Sequence, residues 1–276
     1  MKGPERAGSR LRPRKSLGQN FLRDQNIARK IVKAVAPLRS DILIEVGPGE
    51  GALTEFLAGQ VRQLILVELD ARAVELLQER FTGPSILIVQ GDFLTYNLEE
   101  VVGQWETPVR VVGNIPYNIT SPILFHILDH RQAVKDATLM VQREVARRLV
   151  AKPGSKDYGI PSVFCECFAR VKKLFDVSPN VFFPRPEVTS TVVQITPDPK
   201  PRYELKDEAF FRAMVRSVFG KRRKTLKNSL LYFLGKDQMP FPDVVDYRRR
   251  PESLSVAELA DLSNHLFARK AVVHEG

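Results

Sequence analysis

Only two cysteines and one tryptophan occur in 276 residues. The cysteines, Cys165 and Cys167, stand one residue apart in a predicted helix, a spacing that suits neither a disulfide nor a metal-ligand knuckle. They read as reduced packing residues. The four histidines, His126, His130, His265 and His274, have no matching Cys or acidic cluster, so no metal is expected. No apolar run approaches the roughly 20 residues that cross a bilayer, and the N-terminal stretch lacks the apolar region of a secretory signal. A cytoplasmic chain without a membrane partner is the expectation.

Acid is scarce at both ends. The net charge is +10, and residues 1–40 carry 11 Lys/Arg against 2 Asp/Glu, while residues 200–276 carry 16 against 10. The middle, residues 41–199, is acidic, with 15 against 20. Basic ends suit a polyanion such as nucleic acid, because neutralising phosphates releases counterions. On charge alone, solvated faces that keep the chain soluble are an equal alternative.

Residues 1–16 are rich in Lys, Arg, Gly and Pro without apolar periodicity and read as a flexible basic arm. A helix is expected at about 24–36, before Pro37. Short β-rich runs then alternate with amphipathic segments: 42–46, 64–68, 86–90, 109–112 and 138–142. That alternation predicts parallel strands with crossover helices. Two more runs, 171–177 and 189–195, are joined by a Pro-rich loop and predict an antiparallel addition at the sheet edge. Prolines at 197, 199 and 201 mark a boundary. Beyond it, 207–219, 222–234 and 255–268 show helical spacing. The expected organisation is an arm (1–16), a Rossmann-like, doubly wound α/β domain (17–199) and a small all-helical module (200–276).

The first strand runs into Glu45-Val46-Gly47-Pro48-Gly49-Glu50-Gly51-Ala52, a glycine-rich turn opening a helix, where backbone must approach a ligand closely. Glu68 closes the second strand, where a carboxylate takes both hydroxyls of a ribose. Asp92 follows the third, placed to receive an adenine amine. Three strand ends thus converge on an adenosine-like ligand. Gly47, Gly49 and Ala52 also satisfy the dinucleotide pattern, so a Rossmann dehydrogenase is a rival.

The fourth strand separates the two. It leads into Asn114-Ile115-Pro116-Tyr117. An adenine amino nitrogen is a poor nucleophile because its lone pair is delocalised into the ring. Accepting both of its N–H groups, at the Asn114 side-chain oxygen and the Ile115 carbonyl, favours the pyramidal nitrogen that attacks a methyl group. Pro116 fixes the turn, and Tyr117 offers a face for a flipped-out base.

With these motifs the sequence resembles the bacterial 16S rRNA adenine dimethyltransferases, relatives of the erythromycin-resistance methyltransferases, from about Lys15 to the C-terminal helices. The resemblance implies a class I methyltransferase fold, S-adenosylmethionine as methyl donor, and dimethylation of two adjacent adenosines in a 3'-terminal hairpin loop of 16S rRNA. The partner it implies is that rRNA in an immature small subunit, and a monomer is expected. Leu17-Gly18-Gln19-Asn20-Phe21-Leu22 is similar to the family's N-terminal cofactor motif, which assigns Asn20 and Leu22 to the donor together with Gly47, Glu68, Asp92 and Asn114. Phe182-Phe183-Pro184-Arg185-Pro186-Glu187-Val188-Thr189-Ser190 is similar to the family's F-x-P-x-P-x-V-x-S segment, which makes Phe182 a second stacking surface for the target adenine, with Phe183 as the other candidate ring. Two basic segments also match, and they make Arg143, Arg147, Arg148, Lys221, Arg222, Arg223 and Lys224 candidate phosphate contacts. The alternatives are a 23S rRNA adenine methyltransferase of the resistance type and a non-catalytic nucleic-acid-binding relative.

Overall fold

The computed structural model describes residues 11–221, 224–235 and 241–274. They fall into two compact units, one made of 11–143 with 172–196 and the other of 144–171 with the described residues from 197 to 274.

In the first unit the chain enters through a two-residue strand, β1 (Phe21–Leu22), and α1 (Gln25–Val35). Asp24 caps α1 by accepting from the Asn26 and Ile27 amides. Ala28, Ile31, Val32 and Val35 make its buried stripe. There follow β2 (Ile42–Val46), α2 (Thr54–Leu57), β3 (Gln63–Glu68), α3 (Ala71–Arg80), β4 (Ile86–Gln90), α4 (Leu98–Trp105), β5 (Val109–Asn114), α5 (Thr120–Asp129) and β6 (Val134–Gln142). β2 and β3 are buried along their whole length, as strands covered on both faces must be. β6 opens four residues before the expected Thr138.

The seven-stranded sheet has the order β4-β3-β2-β5-β6-β9-β7, with β7 at Ala169–Val177 and β9 at Ser190–Pro197. β2 through β6 pair in parallel, and β9 runs antiparallel to β6. From central β2 the chain winds outward through β3 and β4 and then returns to β5 on the other side of β2. The carboxyl ends of β2 and β5 therefore flank a topological switch point, where open α/β sheets bind ligands.

At the opposite end of the sheet Arg110, on β5, is buried. It donates to Asp136 (3.0 Å), to Asp41 (2.8 Å) and to the terminal carbonyls of α1 at Val35 (2.6 Å) and Ala36 (3.1 Å).

The second unit is built from most of α6 (Arg143–Leu149), α7 (Ile160–Phe168), α8 (Glu208–Phe219), α9 (Leu226–Leu234) and α10 (Val256–His274). It takes in residues 144–171, which the linear boundary at 199/200 assigns to the α/β domain. The reason lies in α7. Val163, Phe164, Cys165, Cys167 and Phe168 are all buried, and a helix apolar on so many sides needs helical neighbours around it. Phe168 meets Phe211 of α8 edge-on at 6.2 Å, and the Arg212 guanidinium lies 4.2 Å from its centroid. Both cysteines are unbridged and buried, and burial pushes the Cys165 thiol up to about 12.

Among the described residues no helix is long and apolar enough to cross a membrane.

Candidate active site

A cleft of about 290 Å³ opens at the switch point. Its walls are the segment 16–22, the turn after β2, the ends of β3 and β4, and the loop 114–119 after β5. Asn20, Leu22, Gly47, Glu68, Asp92, Asn114, Pro116 and Tyr117 all line it. Residues from five separate stretches of sequence are thus brought to one cavity.

Glu68 is buried at the end of β3, and its two oxygens accept the amides of Gly49 and Asp70, each at 2.9 Å. Burial, only partly offset by these bonds, raises its pKa. Asp92 accepts the Leu94 amide at 2.9 Å. Gly49 has φ +56°, and a Cβ there would fall 3.0 Å from two ring carbons of Phe21. Only glycine lets β1 lie this close over the turn.

The entering segment is strapped to this frame. Gln19 donates to Asp70 at 3.0 Å and accepts the Arg14 amide at 2.9 Å. The Leu11 amide donates to Glu50 at 2.9 Å, and Arg72 donates to the Arg12 carbonyl at 3.3 Å. The Arg72 guanidinium beside Asp70 pulls its carboxyl down to about 2. Residues 11–16 are therefore tethered, which corrects the expectation of a free arm there. Residues 1–10 lie outside the described residues.

In the loop after β5, the Asn114 amide nitrogen donates to the Asn20 carbonyl at 2.8 Å. The Tyr117 hydroxyl sits 2.8 Å from the Ser190 hydroxyl, and burial raises the Tyr117 pKa.

Phe182 does not present a stacking face. It is 6% exposed within the core cluster, because its strand, β8 (Phe182–Phe183), pairs antiparallel with β1 and sets it opposite Leu22, a member of the same cluster. Phe183, opposite Phe21, is the exposed ring at 54%.

Of the basic residues, Arg143, Arg147, Arg148, Lys221 and Lys224 are exposed. Arg148 pairs with Glu144 at 2.5 Å and Arg147 with Asp157 at 3.7 Å. Lys221 lies 5.1 Å from the Tyr232 ring centroid. Arg222 and Arg223 lie outside the described residues.

Sequence reasoning left three neighbours of the site without a role: Gln19, Ser190 and Glu45. Glu45, on β2, lines the cleft and accepts the Thr54 hydroxyl at 2.7 Å, and its complete burial raises its pKa to about 8. The available signal was a lone acid inside the apolar strand Ile42-Leu43-Ile44-Glu45-Val46.

Among the described residues no Lys or Arg lines the cleft, whereas Glu50, Glu68 and Asp92 do. Such a wall suits a cationic adenosyl ligand and opposes a pyrophosphate, which counts against the dinucleotide alternative. The profile of ribosomal RNA adenine dimethylases matches residues 10–267. The chain belongs to the ribosomal RNA adenine dimethylase family. Among proteins of known name, this dimethylase-family chain is similar to ribosomal RNA small subunit methyltransferase A of Aromatoleum aromaticum, at 41% identity over 95% of this chain and 97% of that protein. Among solved structures it is similar to a dimethyladenosine transferase from Plasmodium falciparum, at 26% identity and TM-score 0.71 over 88% of this chain and 95% of that one. The 23S rRNA methyltransferase ErmE follows at 27% identity and TM-score 0.65, over 90% and 100%. The fold is that of class I methyltransferases, and the cleft lies at its switch point.

Proposed function

We propose that this chain is an S-adenosylmethionine-dependent dimethyltransferase for the exocyclic amines of two adjacent adenosines in a 3'-terminal hairpin loop of 16S rRNA, acting on an immature small subunit in the cytoplasm. The observation that carries the reading is the convergence of Asn114, Pro116 and Tyr117 on the same cleft as Glu68 and Asp92. Small-subunit methyltransferases align with 92% to 95% of this chain at 40% to 41% identity. The 23S enzyme is further away in sequence, at 27%.

The cleft fits the methyl donor by its chemistry. Glu68 would hold the ribose hydroxyls, Asp92 the adenine amine, and Asn20, Leu22 and the Gly47 turn the remainder, in an acidic wall matched to a sulfonium. When bound, the donor supplies an electrophilic methyl group. The protein's part is to bind, orient and exclude water. The target amine donates one hydrogen to the Asn114 Oδ1 and the other to the Ile115 carbonyl, so the nitrogen turns pyramidal and its lone pair leaves conjugation with the ring. Tyr117, steadied by Ser190, offers its face to the extruded base. No strong base is needed, because the nitrogen becomes acidic only after it has attacked. Arg143, Arg147, Arg148 and Lys221 to Lys224 would meet phosphates and set register.

The deciding experiment is mapping of dimethylated adenosines in rRNA from cells with and without this protein. Loss of the modification at two adjacent 16S positions is expected. Loss at a 23S position, or at none, would overturn the reading.

A further inference from the structure

Beside the cleft, an exposed phenylalanine stands on a fixed support. Phe183 is 54% exposed, and its cross-strand partner Phe21 lines the cleft. The Arg23 guanidinium lies 5.8 Å from the Phe21 ring centroid and 5.7 Å from that of Phe183. Two nitrogens of this guanidinium engage the two carboxylate oxygens of Glu50, and the Arg23 amide donates to the Val181 carbonyl at 2.8 Å, extending the ribbon. Arg23 is therefore pinned and its charge already answered. It acts as a support for aromatic rings rather than as a phosphate clamp. Phe21, Arg23 and Phe183 form a ladder from the cleft outward, and the open face of Phe183 ends it.

We infer that this open face is a subsite for an unpaired nucleobase, the one adjoining the adenosine held in the cleft. The inference rests on the reading of the cleft as an RNA adenosine site. Phe183 does not line the cleft, so a base stacked on it is distinct from the reacting one. A protein partner would call for a contiguous apolar patch, yet Arg185 and Glu187, both exposed, interrupt the surface between Phe183 and Val188. A single flat ring beside a cation is what splayed single-stranded RNA uses, because every base has a face to stack. Arg185, without an ion pair among the described residues, can meet the backbone phosphate.

The test uses the full chain and an RNA hairpin with two adjacent loop adenosines, with Phe183→Ala, Phe183→Leu and Phe183→Trp. Base–aromatic stacking corresponds to a loss of roughly 5- to 150-fold in RNA affinity. Phe183→Ala and Phe183→Leu should show that loss, Phe183→Trp should retain affinity, and S-adenosylmethionine affinity should be equal in all four proteins. With 2-aminopurine next to the acceptor adenosine, the wild type and Phe183→Trp should quench its fluorescence more than the other two variants. RNA binding by Phe183→Ala equal to wild type overturns the subsite. Binding by Phe183→Leu equal to wild type also overturns it, since apolar packing would then suffice. Absence of methyl transfer by the wild type to any rRNA would instead overturn the parent reading.

Discussion

Asn114 is held by the backbone of Asn20: its amide nitrogen donates to the Asn20 carbonyl at 2.8 Å. That bond decides which way the amide faces. With the nitrogen engaged, the oxygen is the atom turned to accept, and the residue proposed as the amine's acceptor is oriented by the segment 16–22 that walls the cleft. One hydrogen bond thus ties the order of the entering strap to the geometry of the reacting loop.

Asn114→Ala should lower single-turnover methyl transfer by roughly 10²- to 10³-fold, the usual effect of removing one preorganised polar contact to a transition state. RNA affinity should change little, since the contacts strengthen only as the amine becomes pyramidal. Asn114→Asp keeps the acceptor but sets a carboxylate against the Asn20 carbonyl. It should also be impaired, and near-normal rates in either variant would refute the role.

Glu68→Ala should weaken S-adenosylmethionine binding by roughly 1.5 to 3 kcal/mol, the scale of a hydrogen bond to a charged group. Calorimetry measures it directly. Because burial raises the Glu68 pKa, wild-type affinity should begin to fall with acid at a higher pH than an ordinary glutamate would impose. Glu68→Gln should flatten that limb of the profile.

Much of this arrangement was legible in the sequence, for physical reasons. Gly47, Glu68, Asp92 and Asn114 each follow a strand of apolar residues, and parallel topology places every strand end on the same edge. Residue type and position relative to a strand therefore suffice to gather them. Phe182 was not legible in this way. Its motif marks an aromatic position, while its orientation depends on pairing with Leu22, some 160 residues away in the chain. The tethering of 11–16 likewise depends on Asp70 and Glu50, which no local pattern announces. Residues 144–171 join the helical unit because α7 is apolar on nearly all sides, and periodicity alone cannot tell such a helix from one that covers a sheet.

Glu45 should impose a pH-dependent cost on the fold. Its folded pKa of about 8 stands above the ordinary glutamate value of 4.5, so the folded chain holds a proton that the unfolded chain releases. The resulting stabilisation is complete below the unfolded pKa and is lost as pH rises toward and through about 8. Glu45→Gln keeps the shape without the ionisation. Its melting temperature should rise relative to wild type between pH 5 and about 8. A constant difference across that range would show that Glu45 is ionised in the folded chain.

Arg110→Ala should destabilise the first unit by about 3 to 5 kcal/mol, because it takes the guanidinium from two buried carboxylates and leaves Asp41 only the half-exposed Lys135 at 3.6 Å. Asp41 and Asp136 would lose their shared partner, and α1 would lose the donor to its last carbonyls. Replacing all three charges with apolar residues of similar volume should cost less than the single change. Thermal melts of the two variants compare these directly, and an Arg110→Ala protein as stable as wild type would mean that water takes over the guanidinium's bonds.

The basic residues should differ in their weight on RNA, and salt separates them. Each phosphate contact contributes about 0.7 to 0.9 to the slope of log affinity against log salt. Arg143 is exposed and has no ion pair among the described residues, so Arg143→Gln should lower the slope by about one such increment if it meets a phosphate. Arg148 already faces Glu144 at 2.5 Å. Transferring it to RNA breaks an exposed pair of small net value but leaves the Glu144 charge near the phosphates, so Arg148→Gln should lower the slope less. Glu144→Gln should then raise wild-type affinity at low salt, by removing both the competitor and the repulsion. Neutralising Lys221, Arg222, Arg223 and Lys224 together should lower the slope by about 3 if all four meet phosphates. Filter binding of rRNA across a salt series reads every one of these slopes, and a slope unmoved by the quadruple change would assign that cluster to solvated surface.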